Sequence, residues 1–161
     1  AIRYENDLYG FNHDIDYEYD VEDFKAFIAK AKSIQDVKQK IIFYQRAVDL
    51  VQGPYLNDLY SDWAIEERGR LEQIYLKTLH ELADLYSKDG QLENAINICE
   101  KAIQLDPSEE KAYEIAMKTY YKLGQRTSII RVFERYKEVM QKQYDLQPSK
   151  EMEDLYQKLT K

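Results

Sequence analysis

Residues 76–109 and 110–143 lie over one another at a spacing of 34. At that spacing Ala83 falls on Met117, Tyr86 on Tyr120, Gly90 on Gly124, Cys99 on Phe133 and Ala102 on Tyr136. A register of this length belongs to a helix–turn–helix unit that cannot bury its apolar face alone and must stack on a neighbour. The steric roles can be read from the first copy. Ala83 and Ala95 are small enough to let paired helices approach closely, Gly90 permits a tight turn, and Pro107 stops the second helix. In the second copy Ile129 stands where Ala95 did and no proline ends the unit. Two copies are few for such an array, so the flanking helices, 20–52 and 150–160, are expected to cap it.

The remaining punctuation completes the helix pattern. Asp20 is placed to cap a first helix whose stripe is Phe24, Phe27, Ile28 and Ala31. Ser33 is expected to cap a second, with Asp36 in its first turn and a stripe of Val37, Ile41, Tyr44, Ala47, Val48 and Val51, ended by Gly53-Pro54. Tyr55 to Tyr60 is too apolar to float freely and is expected to fold back on the core. A long helix follows from near Ser61 to about Lys88, with Trp63, Leu71, Ile74, Tyr75, Thr78, Leu82, Leu85 and Tyr86 on its inner side and Gly69 within it. Helices at 92–105, 109–123, 127–143 and 150–160 complete the set, separated by Asp106-Pro107, Gly124 and Gln147-Pro148-Ser149. The first nineteen residues differ, with rough alternation around Asn12-His13-Asp14 that predicts short extended structure. The expected fold class is all-α: a tetratricopeptide-like right-handed array of antiparallel helix pairs, about seven helices, with a short extended N-terminal segment.

Charge narrows the function. The net charge is −7, and residues 1–24 account for all of it, with one Arg against eight acidic side chains. A duplex-binding surface needs clustered Lys and Arg to displace counterions. The most basic stretch, 107–143, mixes eight basic with five acidic residues, the pattern of a solvated helical surface. No direct nucleic-acid contact is expected. One cysteine excludes an intrachain disulfide. No apolar run approaches the roughly 20 residues of a membrane span. These features, with no basic-then-apolar leader, predict a cytoplasmic chain without membrane association. It opens on Ala1 and not on methionine, and is expected to be a segment of something longer.

The segment Gly53-Pro54-Tyr55-Leu56-Asn57-Asp58-Leu59-Tyr60-Ser61-Asp62-Trp63, followed by Arg68 and Leu71, resembles the signature of the bacterial transcriptional activator domain. This is the helical domain of Streptomyces antibiotic regulatory protein type regulators and of related response regulators. The resemblance continues through Asp106-Pro107, Glu110, Met117, Gly124, Arg135-Tyr136, Pro148-Ser149 and Leu155-Tyr156, and Asp20 to Phe24 is similar to the domain's opening. Gly69 departs from it, where a good helix former is usual, as does the weak second repeat. The resemblance implies a regulatory, protein-interaction and oligomerisation role in a DNA-binding transcription regulator or response regulator. It implies residues 1–18 as the linker or terminal strand of a preceding winged-helix domain and 19–161 as the activator domain. Implied partners are that winged-helix domain, a second copy in a homodimer, the transcription machinery or a signalling domain.

The residues offer little to catalysis. His13 and His80 are the only histidines, and Asn12 to Asp16 lacks a second His or a Cys for a metal. Cys99 occupies a packed repeat position, and the pairs Glu66-Glu67 and Glu109-Glu110 point apart on a helix, as suits first turns. No catalytic residue, metal or cofactor is expected. By repeat position, Lys77, His80, Asp84, Lys111, Glu114, Lys118 and Tyr121 are expected to line a concave face of mixed charge. A free-standing adaptor binding a peptide there is the alternative reading. His80 and Asp84 stand where carboxylate-gripping adaptors place Lys and Asn, so a chaperone-type C-terminal tail is not the expected ligand.

Overall fold

A computed structural model describes residues 21–51 and 65–161. Among them are seven helices and no strand: α1 (21–33), α2 (Val37–Val51), α3 (Ile65–Lys88), α4 (Leu92–Leu105), α5 (Glu110–Lys122), α6 (Arg126–Tyr144) and α7 (Lys150–Thr160). The extended segment, the Asp20 cap, the Gly53-Pro54 stop, the 55–60 segment, the Ser61 start and Trp63 lie outside the described residues. The chain divides into two compact units, Ala1–Thr78 and Leu79–Lys161, with the boundary inside α3.

In the first unit, Phe24, Ile28 and Ala31 recur at helical spacing on α1, and Ile41, Tyr44, Ala47 and Val48 on α2; all are buried. The Phe24 ring meets Tyr75 edge-on at 6.4 Å. Phe27 is half-buried and lies 6.3 Å from Phe43, whose ring carries the Arg46 guanidinium at 5.3 Å. The cap of α2 differs from expectation. Asp36, not Ser33, accepts from the Gln39 amide at 3.1 Å, while the Ser33 hydroxyl donates back to the Lys30 carbonyl within α1. Val37 therefore becomes the first helical residue and is exposed, not part of the inner stripe. The Lys40 ammonium donates to the Ala31 carbonyl at 3.0 Å, placing a cation on the last turn of α1, where free carbonyls and the helix dipole favour it.

The second unit shows the 34-residue period in its backbone bonds. Gln91 N–H donates to Tyr86 O and Gln125 N–H to Tyr120 O, both at 2.9 Å. Gly90 and Gly124 hold φ of +81° and +72° at these turns, a left-handed conformation costly for residues with a Cβ. α4 ends at Leu105. Asp106 Oδ1 accepts from the Ser108 amide and hydroxyl, and the Pro107 carbonyl accepts from Tyr113 Oη at 2.7 Å. α4 packs on α5, α5 on α6, and α7 on both α5 and α6. Leu79, Leu82, Ala95, Ile103, Met117 and Ile129 lie in this core. The result is a tetratricopeptide-like set of helix pairs, as the spacing predicts.

Candidate functional site

The seven residues expected on the concave face come from α3 and α5. Lys77 falls in the first unit and is exposed. The other six fall in the second. On α5, Lys111, Glu114 and Lys118 are three and four residues apart, so they share one stripe. Glu114 is placed between the two lysines, 2.9 Å from Lys118 Nζ and 3.9 Å from Lys111 Nζ. Both lysine side chains are about half exposed, so each pair contributes only a few tenths of a kcal/mol and its partners remain available. One turn further on, Tyr121 stands 58 % exposed. On α3, Asp84 pairs with Lys88 at 2.8 Å, which raises the Lys88 pKa. The stripe on α5 thus carries one net positive charge and an exposed phenol.

His80 is placed differently. It is half-buried, and its Nε2 atom has neither solvent access nor a hydrogen-bond partner. Burial pushes its pKa down, against the pull of Glu109; Lys111 adds to the depression, and Asp106 and Glu81 oppose it. The fold therefore brings His80 of α3 within electrostatic reach of Lys111 and of the turn before α5. At the far end of the same two helices, Lys122 Nζ donates to the Ser87 hydroxyl and carbonyl at 3.1 and 3.3 Å, and Thr119 Oγ1 lies 3.2 Å from Ser87 Oγ. Sequence reasoning missed this cross-helix link. Thr119 and Ser87 are both buried, and the 3.2 Å contact between their hydroxyls shows that they face each other.

A second cluster holds the last three helices. Tyr136 Oη donates to Glu110 Oε2 at 2.8 Å, and Ser149 Oγ donates to Glu110 Oε1 at 3.4 Å while accepting from the Met152 amide as the cap of α7. Burial, and then the bond to Glu110, push the Tyr136 pKa well up. Tyr113 packs on Tyr136 at 5.1 Å, and Arg135 spans both oxygens of Glu100 at 3.0 and 2.9 Å. The Cys99 thiol is buried, its pKa pushed up to about 12 chiefly by that burial, so it is not a nucleophile at neutral pH.

The model of the bacterial transcriptional activator domain matches residues 19–160. The chain belongs to that family. No curated protein and no solved structure matches it. Glu110, Tyr136 and Ser149, which carried the resemblance in the sequence, form one hydrogen-bonded group in the activator domain. Met117 is buried and Gly124 holds its turn. Tyr156 stacks flat on Phe133 at 4.0 Å, with the rings 6° apart. These residues hold the scaffold together, whereas the Lys111–Tyr121 stripe faces outward. Among the described residues no group of three or more His, Cys, Asp or Glu is placed to hold a metal ion, and no helix is long and apolar enough to cross a membrane.

Proposed function

We propose that this chain is the regulatory, protein-interaction and oligomerisation domain of a cytoplasmic bacterial DNA-binding transcription regulator or response regulator, without catalytic activity of its own. The observation that carries this reading is the family match across 19–160, which makes it a transcriptional activator domain. Its partners on this reading are a winged-helix DNA-binding domain of the same protein, a second copy, and the transcription machinery or a signalling domain. The α5 stripe supplies the contact surface. Lys111 and Lys118 are anchored loosely by Glu114, and Tyr121 offers ring area with a polar tip, a combination suited to protein interfaces.

The test fuses the chain to a heterologous DNA-binding domain that represses a reporter only when dimerised. The fusion is expected to repress severalfold more than the DNA-binding domain alone, and the Lys111→Glu, Lys118→Glu double variant to lose that gain while keeping its helical circular dichroism. A fusion no better than the bare DNA-binding domain, together with a strict monomer by light scattering at high concentration, removes the oligomerisation role. The stripe also supports the second reading, a peptide-binding adaptor. That reading predicts no self-association and a partner lost on the same double substitution.

A further inference from the structure

Both ring nitrogens of His80 become obligate donors when the ring is protonated. Nε2 is sealed from solvent and faces no acceptor, so protonation would leave a charged donor buried and unpaired. A structure meets that penalty first by keeping the ring neutral to lower pH, and once the ring does protonate, by moving it to water or to a carboxylate. The charged groups that act on the ring from the second unit are Glu109 and Asp106 in the turn after α4, Lys111 on α5, and Glu81 on α3 itself. The carboxylates offer the displaced ring an acceptor, while the Lys111 ammonium opposes a cation remaining where the neutral ring now sits. We propose that His80 is an acid-sensitive latch: its neutral ring keeps α3 closed beside the Asp106–Lys111 turn, and protonation ejects it and loosens that part of the fold.

The sign follows from linkage. Burial is the largest influence on His80, and it lowers the folded-state pKa below the ordinary 6.5. The unfolded chain therefore takes up the proton first as pH falls. Stability from this site is intact above about pH 6.5, is lost as pH falls from there to the folded-state pKa, and changes no further below it. Each unit separating the two pKa values multiplies the unfolded-to-folded ratio tenfold at the acid limit.

The experiment uses the intact chain. Imidazole NMR from pH 8 to 5 reads the His80 titration directly, assigned by comparison with His80→Gln. Urea midpoints of the parent and of His80→Gln are measured over the same range, where His13 is common to both and cancels. The expected result is a His80 titration below the ordinary histidine range, a parent midpoint that falls relative to the variant only below about pH 6.5, and chemical-shift changes at Asp106, Glu109 and Lys111 tracking the same titration. An ordinary histidine titration, a pH-independent difference between the two proteins, or a difference that grows toward alkaline pH overturns the proposal. If His80→Gln fails to fold, His13→Gln assigns the two imidazole signals instead, and the His80 titration with its reporter shifts still decides.

Discussion

Removing one oxygen from Tyr136 is expected to weaken the joint between α5, α6 and α7. Tyr136 is 1 % exposed and its hydroxyl donates to Glu110 at 2.8 Å. A hydrogen bond to a charged acceptor is worth about 1.5–3 kcal/mol net. Glu110 is only half-buried, so water can partly replace the lost donor, and the lower end applies, about 1.5 kcal/mol for Tyr136→Phe. The ring's packing on Tyr113 survives the change. For a chain of 161 residues that corresponds to a fall in Tm of roughly 3–6 °C. The pair is isolated by a double-mutant cycle with Glu110→Ala, in which the helix-dipole effect of losing an acid from the first turn of α5 appears in both legs and cancels. The expected coupling is about 1 kcal/mol. The alkaline limb gives an independent check. The Tyr136 pKa is raised, so its stabilisation is fully present below the ordinary tyrosine value near 10 and is lost as pH rises above it. The parent-minus-variant difference should shrink in that range and hold steady at neutral pH. A coupling within about 0.3 kcal/mol of zero, or a difference indifferent to alkali, refutes the assignment of Glu110 as the acceptor that ties these helices.

Gly69 lies within α3, exposed, and a Cβ added there meets nothing within 4 Å, so Gly69→Ala should raise stability by about 0.5–1 kcal/mol in urea titration. A loss instead would mean that the glycine serves a close approach. Cys99 should resist thiol reagents in native buffer and react at once in urea, since burial both shields it and pushes its pKa up to about 12. Labelling within seconds in native buffer contradicts its placement.

Helix limits in the second unit were legible because each is enforced chemically at its end. The expected helices 92–105, 109–123, 127–143 and 150–160 meet the observed Leu92–Leu105, Glu110–Lys122, Arg126–Tyr144 and Lys150–Thr160 to within a residue. Gly90 and Gly124 turn left-handed, Pro107 stops α4, and Ser149 caps α7. The start of α2 was misplaced because Ser33 and Asp36 are both good capping types. Ser33 bonds back to Lys30, and only the three-dimensional path shows Asp36 free to face the Gln39 amide. For the candidate site, period arithmetic assigns Lys111, Glu114 and Lys118 to a concave face, and in the structure Glu114 pairs with both lysines along one stripe of α5. Partners across helices were beyond it. Ser87 meets Thr119 and Lys122, and Glu110 meets Tyr136 and Ser149, over separations of 26 to 39 residues. Periodicity says which face a residue is on, not what stands opposite.

The weakness of the second repeat has a physical reason in the packing of α7. At four matched positions the second copy is larger: Met117 for Ala83, Ile129 for Ala95, Phe133 for Cys99 and Tyr136 for Ala102. All eight side chains are nearly wholly buried, so the added volume is filled space and not protrusion. Two of the additions, Phe133 and Tyr136, reach toward the last described helix. Phe133 stacks on Tyr156, Tyr136 bonds the Glu110 that also holds the cap of α7, and Arg126 Nε donates to the Thr160 carbonyl at the other end of that helix, at 3.0 Å. In the first copy small residues let a full helix pair approach closely. In the second, large ones extend the contact onto a helix of only 11 residues, which has little surface of its own to bury. Two of the departures that blur the 34-residue signal, Phe133 and Tyr136, are therefore side chains that secure α7.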